Sequence, residues 1–274
     1  MNSPINSKAQ SYQSLYEYFD SLPMLKLRRE AYGEDIGQHS WVTVEDLRLD
    51  IHRLKLSTTS HILDLGCGPC GPLTYILKSC GCFGTGLDLS GAALAVGQHR
   101  AICLGVGDRL TVREANLDDQ LDEESCSFDA VISLDVVLHL RDRVRTFCEI
   151  GRVLTPGGRF LFTDSGVLHG SISSEDLARR SAHGSTHLCG PEFNEKALKE
   201  AGFVLLEIED RTESLISVAT GRLHARTKYQ TDFEAIEGAN KFARYQQYLN
   251  AVIATAETGA LRRVMYLSES RALP

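Results

Sequence analysis

From His61 onward the apolar residues gather in short runs of five to eight, separated by amphipathic stretches, and this alternation constrains the chain more than any other feature. Strand runs alternating with helical segments build a mostly parallel sheet covered on both faces. The candidate strands are His61–Leu65, Phe83–Leu89, Arg109–Glu114, Phe128–Leu134, Arg159–Asp164, Phe203–Asp210 and Arg263–Ser268. Their spacing is regular up to Asp210. Residues 215–260 then read as helical, with Phe233, Ile236, Phe242, Tyr245 and Leu249 on one face.

Residues 1–55 read as a helical cap. Tyr12, Leu15, Tyr16, Phe19 and Leu22 recur at three and four, and Val44, Leu47, Ile51 and Leu54 mark a second helix from Val42 to Leu56. The polar stretch from Tyr32 to Trp41 joins them. The expected fold is therefore α/β: a Rossmann-like, seven-stranded, mostly parallel sheet with helices on both faces. The cap spans 1–55, the core 56–214 and 261–274, and a helical insertion or lid 215–260. With 274 residues and no linker rich in Pro, Gly or Ser, one large domain with an insertion is simpler than two tandem domains.

A net charge of −7 and the lack of any Lys/Arg run argue against a nucleic-acid partner. No stretch of about 18 apolar residues suggests a membrane span, and the polar start of the chain lacks the apolar core of a signal peptide, so a cytoplasmic location is expected. Eight cysteines without a regular framework read as reduced thiols. His183 and His187, four apart near Cys189, lack the carboxylate of a helical zinc motif, and Cys67 and Cys70 lack a second pair, so no metal is expected. The oligomeric state stays open, a homodimer included.

The segment His61-Ile-Leu-Asp64-Leu-Gly66-Cys67-Gly68-Pro69-Cys70-Gly71-Pro72 follows a strand and opens a helix. Gly66, Gly68 and Gly71 spell GxGxxG, and Asp88 ends the next strand, where it is placed to accept from ribose hydroxyls. Two details turn the loop away from a dinucleotide. Asp64 sets a carboxylate where a pyrophosphate would suffer and an ammonium would gain, and Pro69 and Pro72 each remove an N–H that a phosphate cradle needs. The loop suits a cationic nucleoside ligand.

Four blocks then follow in order: Asp64-Leu-Gly-Cys-Gly, Gly86-Leu-Asp88-Leu-Ser90, Ser127-Phe-Asp-Ala-Val-Ile-Ser133, and Arg152-Val-Leu-Thr-Pro-Gly-Gly158 running on to Asp164. In order and spacing they resemble the class I S-adenosylmethionine-dependent methyltransferases. The resemblance implies S-adenosyl-L-methionine as cofactor, its methionine end at Asp64, Gly66, Cys67 and Gly68 and its ribose at Asp88. It also implies Leu89 against the adenine, Asn116 accepting from the adenine amino group, and Leu117 and Ser133 in the same site. Cys70, where many relatives carry glycine, is a departure. The stretch from Ser133 to Leu140 resembles phosphoethanolamine N-methyltransferases and, more loosely, sarcosine/dimethylglycine N-methyltransferases.

That resemblance makes His139 the expected proton acceptor, with Asp135, four residues earlier, expected on the same helical face to orient it. Tyr16, Tyr18 and Tyr32 are candidates for an orienting phenol. Together with His39 and His169, Tyr18 and Tyr32 are the expected contacts of a small-molecule methyl acceptor, an amine or hydroxyl. The alternatives are carbon methylation of an isoprenoid-like substrate, an NAD(P)-dependent oxidoreductase using the GxGxxG, and a non-catalytic relative that binds the nucleoside.

Overall fold

Every expected strand forms, and all seven join one sheet in the order β3-β2-β1-β4-β5-β7-β6. The strands are β1 (His61–Leu65), β2 (Phe83–Asp88), β3 (Leu110–Glu114), β4 (Phe128–Leu134), β5 (Leu154–Leu168), β6 (Phe203–Asp210) and β7 (Leu261–Ser270). The computed structural model describes residues 16–181 and 186–271. Strands β1 to β5 are mutually parallel, and β7 runs antiparallel between β5 and β6. Strand β5 is longer than its apolar run because pairing with β7 resumes past a register shift, Val167 facing Arg262 and Leu168 facing Leu261.

Side-chain alternation gives the sheet two cores. Ile62, Ile132, Leu161 and Met265 face helices α2 (Val44–Leu54), α3 (Gly71–Cys80) and α4 (Gly91–Cys103). Leu63, Val131, Phe160 and Phe162 face α5 (Arg143–Val153) and α7 (Phe193–Glu200). Helix α6 (Ser174–Arg180) lies between β5 and α7 in sequence. Each fully buried Leu, Ile or Phe in these layers contributes about 1.5–3 kcal/mol.

The expected insertion between β6 and β7 is three helices, α8 (Thr212–Lys228), α9 (Gln230–Glu237) and α10 (Ala239–Glu257). They share a third core with α1 (Leu22–Tyr32). A Cβ on Gly221 would lie 2.7 Å from Ala31 Cα and 3.2 Å from its carbonyl oxygen, so α8 and α1 approach backbone to backbone. The N-terminal region is thus divided: α1 packs with the lid helices, whereas α2 covers the sheet.

The first expected helix falls largely outside the described residues. Tyr12 and Leu15 are among those; Tyr16 is helical, Glu17–Asp20 form turns, and helix α1 runs from Leu22. Ser21 is extended and Pro23 sits in the first turn, an arrangement that starts a helix rather than continuing one. Phe19 is buried against the Arg28 guanidinium, 4.1 Å from its ring centroid. Helix α2 starts at Val44, two residues later than expected, because the Thr43 hydroxyl accepts from the Asp46 N–H at 3.1 Å and caps it.

Strands β2 and β3 lie on one side of β1 and β4 on the other, so the order of the chain reverses between β1 and β4. Ligands of such sheets collect at the carboxyl ends of the strands at this switch point.

Candidate functional site

At the end of β1 the chain turns through Gly66 and Gly68, with φ of 76° and 52°, in the left-handed region that suits glycine. The Gly66 N–H donates to Leu87 O at 2.7 Å, and a Cβ there would lie 2.5 Å from Val136 Cγ2. Asp88 fixes the loop from the neighbouring strand: Oδ2 accepts from Gly68 N–H at 2.8 Å and Oδ1 from Ser90 N–H at 2.9 Å. Burial raises its pKa, partly offset by these N–H groups. The carboxylate, which also accepts from the Leu89 N–H, retains lone-pair capacity for a hydroxyl.

Asp64 behaves differently. It is 3% exposed, lines the cavity and has neither a hydrogen bond nor an ion pair among the described residues. Burial first, and the Asp88 charge second, push its carboxyl up to about 8. A buried carboxylate without a partner suits an incoming ammonium group, which would restore the ionised form. A diphosphate fits poorly. A Cβ on Gly71 would lie 2.3 Å from the carbonyl of Gly37 and 2.7 Å from Gln38 N, so cap backbone already covers the N-terminus of α3.

The loop borders a cavity of about 220 Å³ at the switch point. The cavity draws together Asp64, Gly66, Cys67, Gly68, Asp88, Leu89, Asn116, Leu117, Asp135, His139 and His39 from the sequence-predicted set. Asn116 is engaged locally, its Oδ1 accepting from Asp118 N–H at 3.2 Å and its Nδ2 donating to Asp119 Oδ2 at 3.0 Å. Cys67 and Cys70 are buried thiols with their sulfurs 3.5 Å apart, and all eight cysteines are free. Burial raises the pKa of Cys67.

Four expected contacts lie elsewhere. Ser133 points back into the sheet, its hydroxyl donating to Leu65 O at 3.1 Å, and Leu134 lines the cavity instead, since alternate strand residues face opposite sides. Tyr18 and Tyr32 line a smaller adjoining chamber of about 40 Å³ under the lid, which His39 also borders. The Tyr32 hydroxyl donates to Ser40 O at 2.6 Å, and burial raises its pKa to about 12. His169 is exposed beyond β5, its N–H bonded to Ala260 O at 3.0 Å. His183 lies outside the described residues. Among the described residues no group of three or more His, Cys, Asp or Glu is placed to hold a metal ion.

The expected helical pairing of Asp135 with His139 also needs correction. Asp135 has φ 60°, and only Val137–His139 form a single 3-10 turn, so the two residues do not share an α-helical face. The carboxylate of Asp135 is committed: Oδ1 accepts from Arg263 Nε at 2.9 Å and Oδ2 from the Trp41 N–H at 3.0 Å. It therefore ties the cap to the carboxyl end of β4. His139 is half-buried at the cavity wall.

Sequence reasoning passed over Trp41, Ser165, Arg180, Arg222 and Tyr248, which close the cavity from the loop, from β5 and from helices α6, α8 and α10. Tyr16, considered only as a candidate phenol, lies over the loop: a Cβ on Gly68 would be 3.0 Å from its hydroxyl. The arginines carried no sequence signal, since nothing in Arg179-Arg180 or around Arg222 tells which cation turns inward. Trp41, the single tryptophan in a polar loop, was the one detectable hint.

Residues 63–162 match the family described as "Methyltransferase domain". A glycine/sarcosine/dimethylglycine N-methyltransferase of Actinopolyspora halophila is 31% identical over 189 residues, covering 66% of this chain and 32% of that protein. A phosphoethanolamine N-methyltransferase of Zea mays is 29% identical over 186 residues, 67% of this chain and 36% of that protein. The chain thus spans about a third of the length of these relatives. Among solved structures, a geranyl diphosphate C-methyltransferase of Streptomyces coelicolor superimposes with a TM-score of 0.75 at 18% identity, covering 98% of both chains. Residues 63–162, with the glycine turn after β1 and the acid closing β2, thus form a methyltransferase domain, similar in sequence to these N-methyltransferases and sharing its fold with the C-methyltransferase.

Proposed function

We propose that the protein methylates a small-molecule acceptor at nitrogen or oxygen by in-line displacement, with S-adenosylmethionine as donor. The observation that carries this reading is Asp64, a buried carboxylate at the glycine turn with no partner of its own. Asp64 and the turn residues hold the amino-acid end of the donor, Asp88 its ribose hydroxyls, and Leu89 and Leu117 provide apolar surface for the adenine. When bound, the donor supplies an electrophilic methyl on a sulfonium.

The chain's own contribution is alignment and exclusion of water. Tyr16, Trp41 and Tyr248 close the cavity, and the Asp135 carboxylate holds Trp41 in place. His139 takes the proton that an amine or hydroxyl acceptor must lose, a role suited to an imidazole near neutral pH. Its place on the wall beside the glycine turn supports this assignment. The relatives' names, N-methyltransferases of glycine derivatives and of phosphoethanolamine, favour nitrogen. Free thiols at all eight cysteines fit a reducing, cytoplasmic setting.

A second reading, methyl transfer to carbon, draws on the aromatic lining: Trp41 and Tyr248 stack with centroids 6.3 Å apart, and such faces stabilise a carbocation. Calorimetric titration with S-adenosylhomocysteine, followed by transfer of label from methyl-tritiated S-adenosylmethionine to pooled metabolite fractions, tests the proposal. Binding with label recovered in an amine or ether supports it. Label on carbon selects the second reading, and absorbance changes with a nicotinamide but no label transfer would overturn both.

A further inference from the structure

Cys67-Gly68-Pro69-Cys70 joins β1 to α3, and methyl transfer gives neither thiol any chemistry. Two cysteines separated by two residues between a strand and a helix are the arrangement of a redox dithiol. Both side chains are buried, and their sulfurs stand 3.5 Å apart, each 3.7 Å from the Gly68 carbonyl oxygen. The Cys70 N–H donates to Cys67 O at 2.9 Å and closes a β-turn. Such a turn brings its end Cα atoms to under about 7 Å, and a disulfide bridges about 4.4–6.8 Å. The backbone is thus placed for a bridge, and the sulfurs need to approach by about 1.5 Å to reach bonding distance.

The surroundings hold the two thiols against each other. A Cβ on Gly86 of β2 would lie 2.8 Å from Cys67 Sγ, and one on Gly97 of α4 would lie 2.6 Å from Cys70 Sγ. Cys70 has φ 54°, a left-handed conformation that glycine adopts without cost, and residues held in this way cluster at functional sites. Cys67 borders the donor cavity, whereas Cys70 is fully buried. A small oxidant entering the empty cavity therefore meets Cys67 first. Burial keeps its thiol protonated, and the Gly37 carbonyl covers the α3 N-terminus that would otherwise favour a thiolate, so the dithiol is the resting form and oxidises slowly.

We propose that Cys67 and Cys70 form a reversible intramolecular disulfide that closes the donor site to its ligand. With hydrogen peroxide as oxidant, the Cys67 sulfur attacks one peroxide oxygen, the O–O bond breaks, water leaves and Cys67 becomes a sulfenic acid. The Cys70 sulfur then displaces that hydroxyl as a second water and forms the S–S bond. The thiols lose two hydrogens and two electrons, and one peroxide yields two waters; a dithiol reductant reverses the change. The Gly68 peptide lies within the ring so formed, and its N–H is the one that Asp88 holds. Contraction around Gly68 draws this N–H and the Cys67 wall out of the arrangement that receives the donor. The effect on ligand rests on the methyltransferase reading, whereas the disulfide itself stands on the two sulfurs.

Lys55 and Lys78 bound a tryptic peptide, 56–78, in which Cys67 and Cys70 are the only cysteines. The experiment treats the whole protein with hydrogen peroxide, with and without saturating S-adenosylhomocysteine, alkylates it with N-ethylmaleimide under denaturing conditions and weighs this peptide. Calorimetry follows S-adenosylhomocysteine affinity in the protein oxidised without ligand. The expected result is a peptide lighter by two hydrogens and closed to N-ethylmaleimide, affinity weakened about tenfold or more, recovery of both with dithiothreitol, and slower oxidation in the presence of ligand. Cys70→Gly, which suits the left-handed backbone, should form no disulfide and leave a sulfenic acid at Cys67 that dimedone traps. Two alkylated thiols in peptide 56–78 after the exposed Cys103, Cys126 and Cys148 have been oxidised, or a disulfide that leaves affinity unchanged, overturns the proposal. Failure of the reduced protein to bind S-adenosylhomocysteine removes the methyltransferase reading instead, and the mass of peptide 56–78 then decides the disulfide alone.

Discussion

The Asp64 carboxyl makes cofactor affinity depend on pH in the neutral range, where an ordinary surface carboxylate, already ionised, gives no dependence. Raised to about 8, it is mostly protonated in the ligand-free protein at pH 7. Pairing with an ammonium requires it ionised, so binding releases a proton and tightens as pH rises. With a pKa of about 8 the ionised fraction is about 1% at pH 6, about 9% at pH 7 and half at pH 8. With the ligand's own α-amino group, of pKa near 8, counted as well, affinity for S-adenosylhomocysteine should rise about eightfold from pH 6 to 7 and about threefold more to pH 8. Above that it falls as the ligand's own α-amino group, with a pKa near 8, loses its proton. Calorimetry in two buffers of different ionisation enthalpy at pH 7 should find close to one proton released per ligand. Asp64→Asn should abolish both the slope and the proton release, and converge with the unsubstituted protein near pH 6. Because Asp88 is the second cause of the shift, Asp88→Asn should move the maximum to lower pH. Equal affinity at pH 6 and pH 8, or an undiminished slope in Asp64→Asn, would refute the idea that this carboxylate waits for a cation.

Asp88→Ala should weaken S-adenosylhomocysteine binding by roughly 1.5–3 kcal/mol per lost charged hydrogen bond, and proteolysis should show the 66–72 turn loosened, since Gly68 and Ser90 lose their acceptor as well. His139→Ala should lower turnover while calorimetry finds cofactor affinity nearly unchanged; equal losses in both would make the residue structural. Arg263→Met leaves Asp135 buried without its cation and should cost about 3–5 kcal/mol in urea unfolding, with the pairing Asp135→Asn in the same chain recovering part of it. Gly71→Ala forces apart α3 and the Gly37–Gln38 backbone and should lower stability by about 1–3 kcal/mol, read as a drop in melting temperature.

The sheet was legible because its signal is local: five to eight apolar residues bounded by turns specify a buried strand whatever surrounds them. The cofactor half of the site shares that locality, since Asp64, Gly66, Gly68 and Asp88 sit at strand ends whose positions the apolar runs define. Errors arose where a side chain's direction or partner depends on distant chain. Ser133 and Leu134 are adjacent, yet only the register of β4 against β1 decides which faces the cavity. Asp135 looked like a helical partner of His139, but Arg263, 128 residues away, and the Trp41 N–H claim its carboxylate. Within the described residues the expected stripe ends in the turns at Glu17–Asp20, and Ser21 and Pro23 start a separate helix, a signal that apolar spacing outweighed in the sequence reading. Arg180 and Arg222 were invisible because a cation in a helix gives no indication of which helix it will face.

These two kinds of information meet in the polarity of the cavity. The sheet end is acidic, with Asp64 and Asp88 at neighbouring strand tips, and the opposite wall is cationic, with Arg180 closing α6 and Arg222 on α8. A ligand whose positive amino group seats at the first end has its sulfonium side directed into the cavity, towards walls supplied by the cap and the helices between β6 and β7. Orientation of the donor is thus set before any contact at the reacting atoms, and those walls, built from segments far apart in the chain, determine which acceptors meet a cofactor site at the strand ends.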